Sequence, residues 1–176
     1  MTRIVRMLSA VSLLVVAACD GTRSSAPSPM VSAFYTIRIG SLMTGAPTEA
    51  ELTRIAPFFS DTLLALLTRA RAVHDREAQA APGDKPPFAE GDLFSSLFEG
   101  PQSFTIVPNS VAARNHRVVV LFMYKGDGKP YTWTDTIVVA RKKRHDVIED
   151  IAYGGAGEFG NHGTLRAMLE GALREK

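Results

Sequence analysis

The carboxylate best placed to do chemistry in this sequence is Asp135, which lies in the run 131–139. Alternation along that run predicts a strand with Trp133 and Asp135 on the face turned toward the core. A carboxylate at such a position must be hydrogen-bonded, ion-paired or shifted in its pKa. Asp135 is therefore either a general base or ligand anchor in a pocket, or a structural carboxylate that pins loop 81–92 through Lys85 or backbone amides. We prefer the structural role.

A second acidic group follows in the next predicted strand. Glu149 and Asp150 are adjacent, so one of them should face the core, and Tyr153 shares a face with Glu149. An inward acid could join Asp135 in a polar floor, and such a carboxylate pair is able to do acid–base work. A structural role is again the preferred interpretation.

Other patterns that could carry catalysis are absent or lack their structural context. The stretch 155–160 matches G-x-G-x-x-G, but a dinucleotide site needs this turn within a parallel βαβ unit, and the strands before it should be antiparallel. No nucleophile elbow or Walker loop occurs. We expect no metal site and no cofactor, because none of the histidines has a spacing typical of metal ligands; they are His74, His116, His145 and His162.

An aromatic cluster surrounds two acids in the stretch 88–99. Phe94 and Phe98, with Asp92 and Glu99 beside them, are expected to close the open end of the sheet. If they are partly exposed, they form an apolar patch suited to a protein partner. The candidate binding residues are therefore Lys85, Asp92, Phe94, Phe98, Trp133, Asp135, Asp150 and Tyr153.

The run 141–145, Arg-Lys-Lys-Arg-His, is the most basic stretch of the chain. Its ordinary interpretation is a solvated hairpin turn. The alternative is contact with anionic lipid headgroups, worth about 1 kcal/mol per basic residue.

Helix signals come first along the chain and strand signals second. Helices are predicted at 31–42, at 48–55 behind a Thr48/Glu51 capping box, at 61–80 behind a Ser60 cap, and at 164–173. Strands are predicted at 103–107, 117–125, 131–141 and 146–153, with a tight turn at 126–128. This order indicates an α+β fold, in which N-terminal helices pack on a curved antiparallel sheet and a C-terminal helix closes it. By analogy, that is the cone-shaped fold of the nuclear transport factor two type.

The first residues predict export and lipidation. Arg3 and Arg6 precede an apolar run at 7–18, which is too short to span a bilayer. It ends in Val-Ala-Ala-Cys, which resembles the lipobox of bacterial lipoproteins and makes Cys19 the lipidated residue. We therefore expect a signal peptide at 1–18, a lipidated cysteine and flexible tether at 19–29, and one domain at 30–176.

Charge excludes one class of partner. The chain has 20 Lys and Arg against 18 Asp and Glu, and removal of Arg3 and Arg6 would make these numbers equal. A formally neutral domain lacks the basic field that nucleic-acid binding requires. The expected location is the periplasmic side of the bacterial envelope, where Asp20 after the cysteine weakly favours the inner membrane.

Four phrases together resemble a known family. They are KPPF at 85–88, GDLFSSLFEG at 91–100, YTWTD at 131–135 and IEDIAYGG at 148–155. With the signal and the first helix, they resemble proteobacterial envelope lipoproteins of the family called domain of unknown function 3828, over residues 31–173. The resemblance implies an envelope location and the cone-shaped fold, and it brings no catalytic residue.

Two functional hypotheses follow. The first is a non-enzymatic binding domain, held at the membrane by its lipid, that contacts another envelope protein. The second is a small-molecule binder or acid–base enzyme, with Asp135 in an open cavity between helices and sheet. The sequence leaves the oligomeric state open.

Overall fold

The computed structural model describes residues 28–108, 117–126, 128–155, 157 and 160–175. The predicted signal peptide, Cys19 and most of the tether lie outside the described residues, as do His116 and parts of the predicted turn at 126–128 and of the glycine-rich loop at 155–160. The described part is an α+β structure. Its helices are α1 (Ser28–Gly40), α2 (Glu49–Ile55), α3 (Asp61–Ala80) and α4 (Leu165–Arg174). Its strands are β1 (Ser103–Ile106), β2 (Arg117–Tyr124), β3 (Tyr131–Lys142) and β4 (His145–Ala152).

The helix starts follow their local capping signals. The Thr48 hydroxyl accepts from the Glu51 amide while the Glu51 carboxylate accepts from the Thr48 amide, so the predicted capping box is confirmed. Ser60 caps α3 through the Leu63 amide, and Thr164 caps α4 in the same way. The first helix differs from its prediction, because it begins at Ser28 and ends at Gly40.

The sheet is an antiparallel meander in the order β1-β2-β3-β4, as predicted. On β3 the residues Trp133, Asp135, Ile137 and Val139 alternate inward and are buried, which confirms the predicted face. Their neighbours on β2 are buried too, and Asp135 lies opposite Val120. The helices pack on this inner face, so that the core lies between helices and sheet.

A β-bulge changes the pattern on β4. Val138 pairs with Asp150 while Val139 pairs with Ile148, so Glu149 is an extra residue between the two pairs. Ile148 and Ile151 are consequently both in the core although they are three positions apart. The expectation that β4 side chains alternate strictly between the core and the outer face is therefore wrong, because the bulge shifts the alternation by one residue.

Candidate functional site

Asp135 is the centre of a buried hydrogen-bond network. Its Oδ2 accepts from the Ser96 amide at 2.8 Å and from Trp133 Nε1 at 3.3 Å, and its Oδ1 accepts from the Ser96 hydroxyl and, at 2.8 Å, from the Gly154 amide. The side chain is 1 % exposed. Four donors fill the acceptor positions of a carboxylate, so this group has its hydrogen-bonding capacity occupied by the protein itself.

The network holds residues 91–96, which we call the buried segment. It has no regular secondary structure, yet each of its residues is buried. Such a stretch is stable only if its backbone groups find partners elsewhere. Tyr153 donates its hydroxyl to the Leu93 carbonyl at 2.7 Å, and Tyr35 donates its hydroxyl to the Phe94 carbonyl at 2.9 Å.

Asn161 completes the coverage of these carbonyls. Its side-chain amide donates to the Asp92 carbonyl at 2.7 Å and to the Ser95 carbonyl at 2.8 Å, and its backbone amide donates to the Ser96 carbonyl at 2.7 Å. Every carbonyl from residue 92 to residue 96 therefore accepts a hydrogen bond from a residue distant in sequence.

An ion pair joins the buried segment to α1. Arg38 of α1 contacts Asp92 Oδ1 through Nη2 at 2.9 Å and through Nε at 3.1 Å, with both side chains almost fully buried. Asp92 also accepts from the Phe94 amide and the Ser95 hydroxyl. Burial raises the pKa of Asp92 above its ordinary value, against the lowering effect of Arg38 and of these hydrogen bonds. The pair thus ties α1 to the buried segment.

The two tyrosines of the network are donors rather than acids. Burial, with the carboxylates of Asp92 and Asp135 nearby, raises the pKa of Tyr153 and the pKa of Tyr35 well above the ordinary value. Both hydroxyls therefore keep their protons at neutral pH and hold the carbonyls that they contact.

The structure places the sequence-predicted residues as follows. Asp135 does pin a loop, and backbone amides are among its partners, but the loop is the buried segment and not 81–92. Lys85 takes no part, because it pairs with Glu90 at 2.6 Å on the exposed surface. Burial of Lys85 would cost desolvation free energy, and Asp135 would return little of it, because backbone and hydroxyl donors already satisfy that carboxylate.

The acids of β4 do not join Asp135. Asp150 accepts from the Arg166 amide at 2.9 Å, and Glu149 pairs with the Arg166 guanidinium at 2.5 Å. Both acids thus fasten the start of α4 to β4. The predicted polar floor is wrong, because Asp150 lies opposite the outward-facing Val138 and both acids contact Arg166 instead of Asp135.

A cleft of about 520 Å³ is lined in part by Arg38 and Asp92. Its wall includes Leu42 and Phe98, and Asp135 is not among the residues that line it. Phe98 is 46 % exposed, whereas Phe94 is 1 % exposed and packs against aromatic rings of the core. Only one of the two predicted phenylalanines is therefore available to a partner.

The cleft contains one strained residue. Leu42 follows α1 with a φ of +50° and a side chain that is 84 % exposed. A bulky residue in this left-handed region costs on the order of 1–2 kcal/mol, and burial returns nothing here. The Phe98 ring packs on Gly91, where a Cβ would lie 2.4 Å from it.

Sequence reasoning missed Tyr35, Arg38, Leu42, Ser96 and Asn161. One signal was present: Arg38 lies one turn after Phe34 and Tyr35 on the apolar face of α1. A cation at a core-facing helical position requires a buried acid. For Leu42, Ser96 and Asn161 nothing in the residue types indicates the role.

Comparison of the chain with models of protein families, with curated proteins and with solved structures found no match. Within the described residues, no three acidic, histidine or cysteine side chains are grouped so as to hold a metal ion. No helix there has the length and apolar character needed to cross a membrane.

Proposed function

We propose that this chain is a bacterial envelope lipoprotein, anchored through lipid on Cys19, whose single domain binds another envelope protein without catalysis. The signal segment, the small residues before the only cysteine, and the polar, proline-bearing stretch that follows support the anchor. The resemblance to the family of domain of unknown function 3828 and to the cone-shaped fold of nuclear transport factor two belongs to the same proposal. The bulge at Glu149 supports the cone-shaped fold, because a bulge bends the strand that carries it and that fold needs a curved sheet.

The cleft beside Leu42 and Phe98 is the observation that carries the binding role. Two large, exposed apolar side chains line one concavity, which the buried Arg38–Asp92 ion pair also lines. Rigid apolar anchors around a pre-formed depression are typical of protein contact sites. The strain at Leu42 supports the assignment, because strained residues persist where function requires them.

The charge of the cleft indicates the kind of partner. Glu99 also lines the cleft; it is exposed and makes no hydrogen bond or ion pair among the described residues. A partner segment that offers an apolar side chain next to a lysine or arginine would complement Phe98 and Glu99 together. The proposed occupant is therefore an apolar and basic surface segment of an envelope protein.

The alternative of an acid–base enzyme needs an open cavity that reaches Asp135. The four donors around Asp135 and its burial do not favour that alternative. A small molecule in the outer cleft would be a different site, with Leu42 and Phe98 as its walls.

Site-specific crosslinking in the native host tests this proposal. Phe98 is replaced by the photocrosslinker p-benzoylphenylalanine in the full-length lipoprotein, and Leu121 is replaced in a matched control, since it is 40 % exposed on the opposite face of the sheet. We expect a discrete protein adduct from position 98 and none from position 121. Leu42→Gly removes the backbone strain together with the side chain. It should reduce the adduct at least tenfold, because a leucine that becomes buried on binding contributes about 1.5–3 kcal/mol.

Two results would overturn the binding role. Equal adducts from positions 98 and 121 would mean that the cleft has no preference for a partner. A small bound compound in native mass spectrometry of the extracted lipoprotein, lost in Leu42→Gly, would make the cleft a small-molecule site.

A further inference from the structure

The turn between β3 and β4 concentrates positive charge. Lys142 pairs with His145 across the ladder, so the turn consists of Lys143 and Arg144 alone. Lys143 has a φ of +54°, a conformation that two-residue hairpin turns usually assign to glycine. A lysine at this position carries backbone strain that a glycine would not, which indicates that its side chain has a role of its own.

Only part of this charge is neutralised by the fold. Arg141 pairs with Asp146 at 2.8 Å, and Lys142 pairs with Asp61 at 2.5 Å. The two residues of the turn are exposed and make no ion pair among the described residues. Four cations against two carboxylates leave a surplus of two positive charges at the tip of the hairpin.

The turn lies beside the first residues of α1. A cleft of about 290 Å³ is lined by Arg144 together with Met30 and Phe58, which are both partly buried apolar side chains. Pro29 and Pro57 complete its apolar side and are exposed. The basic turn therefore meets an apolar edge at the point where the chain enters the domain.

This point is close in sequence to the predicted lipid. The nine residues from Cys19 up to the start of α1 at Ser28 can extend about 30 Å at most, at ~3.3 Å per residue. A lipid on Cys19 would hold the turn near the headgroups at high effective concentration. Acyl chains and basic residues commonly act together in this way on anionic bilayers.

We infer that the tip of the β3–β4 hairpin, with the apolar edge beside it, is a docking surface for anionic phospholipid headgroups. The inference rests on the proposed lipid anchor, and it adds an orientation to it. From Ser28 to Gly40, α1 rises about 18 Å at 1.5 Å per residue. The cleft of Leu42 and Phe98 lies at the far end of α1, so docking of the turn presents that cleft away from the membrane.

A quenching experiment on the lipidated full-length protein tests the orientation. The protein is reconstituted in vesicles of phosphatidylcholine, with or without one third phosphatidylglycerol, that carry a nitroxide on the headgroup. Because lipid occupies the native cysteine, an introduced one is a unique thiol for a fluorophore: Pro57→Cys reports the turn, and Thr44→Cys, which is exposed at the large cleft, is the control. We expect quenching at position 57 in anionic vesicles, weakened by salt, and none at position 44.

Charge variants sharpen the result. Each cation is worth a factor of about five at an anionic surface, so Lys143→Gly with Arg144→Gln should lower the ratio of docked to undocked protein about thirtyfold. The glycine also relieves the backbone, so a loss of quenching with an unchanged or raised Tm is not unfolding. Arg69→Gln with Arg174→Gln removes the same charge from a separate small cleft and should leave quenching unchanged.

The possible failures are distinguishable. Protein that does not float with the vesicles would refute the lipid anchor. Protein that floats but shows equal quenching at positions 57 and 44, or quenching that ignores phosphatidylglycerol, salt or the loss of both turn cations, would refute the docking surface and leave the anchor standing. A turn that contacts a protein instead would also give no quenching in these protein-free vesicles.

Discussion

Replacement of Asp135 by asparagine keeps the shape of the side chain but exchanges one of its two accepting oxygens for an amide nitrogen. The four donors that surround Asp135 then have only one oxygen to bind. If the amide nitrogen takes the place of Oδ2, it faces the Ser96 amide and the Trp133 indole, and neither can reverse its role. If it takes the place of Oδ1, the Ser96 hydroxyl can turn to accept, and only the Gly154 amide is left unmatched. The second orientation is the cheaper one.

The cost of that orientation can be worked out. One buried donor without a partner costs about 1–3 kcal/mol, and the remaining bonds lose the strength that a charged acceptor gives them. We expect Asp135→Asn to lower the free energy of unfolding by about 2–4 kcal/mol. Asp135→Ala leaves all four donors unmet and should lower it by at least about 4 kcal/mol, which is a large part of the roughly 5–15 kcal/mol that stabilises a typical domain.

Urea unfolding followed by tryptophan fluorescence measures these values. Trp133 is the only tryptophan of the chain and donates to Asp135, so its emission reports the site directly. Thr134→Val on the exposed face of the same strand is the matched control and should change stability by less than about 0.5 kcal/mol. An Asp135→Asn variant as stable as the wild type, but without the cellular phenotype of the parent, would contradict the structural role and return Asp135 to the list of functional groups.

Two further variants test the surroundings of this network. Arg38→Met leaves Asp92 buried without its cation, which should lower the free energy of unfolding by about 3–5 kcal/mol at pH 7. Because burial then holds the pKa of Asp92 still further above its unfolded value, this loss should shrink when urea unfolding is repeated from pH 7 down to pH 5. An equal loss at both pH values would oppose the assignment. Gly154→Ala would place its Cβ 1.7 Å from a backbone carbonyl of β3 and should abolish cooperative unfolding. The matched variant Gly155→Ala has open space around its Cβ, so it should lose only the roughly 1–2 kcal/mol that a φ of +92° costs. Circular dichroism melts in which Gly155→Ala is the more damaging variant would refute this packing.

The elements that the sequence predicts well are those with local causes. The Thr48 box and the Ser60 cap join residues three positions apart, so the starts of these two helices could be placed to within one residue. The alternation on β3 reflects burial of one face of a strand, which is also visible in sequence. The buried position of Asp135 followed from the same alternation.

What the sequence could not supply depends on pairing between distant segments. The bulge at Glu149 is a property of the β3–β4 register, and it allows Ile148 and Ile151 both to face the core. Ser96 and Asp135 are 39 residues apart, and Arg38 and Asp92 are 54 apart, so residue types alone do not select these partners. The exposed Leu42 was missed for another reason, since its left-handed φ breaks the preference of its residue type.

We expect the amide hydrogens of the buried segment at 91–96 to exchange as slowly as those of a core strand, although the segment is a loop. To move the segment into solvent, the chain must break its contacts with α1 at Tyr35 and Arg38, with β3 at Asp135, and with Asn161 after β4. We therefore expect local opening of this segment to cost about as much free energy as global unfolding, so that deuterium enters it mainly when the whole domain opens. An insertion here would be as damaging as one in the middle of β3, which sets this loop apart from the surface loops where evolution usually adds residues.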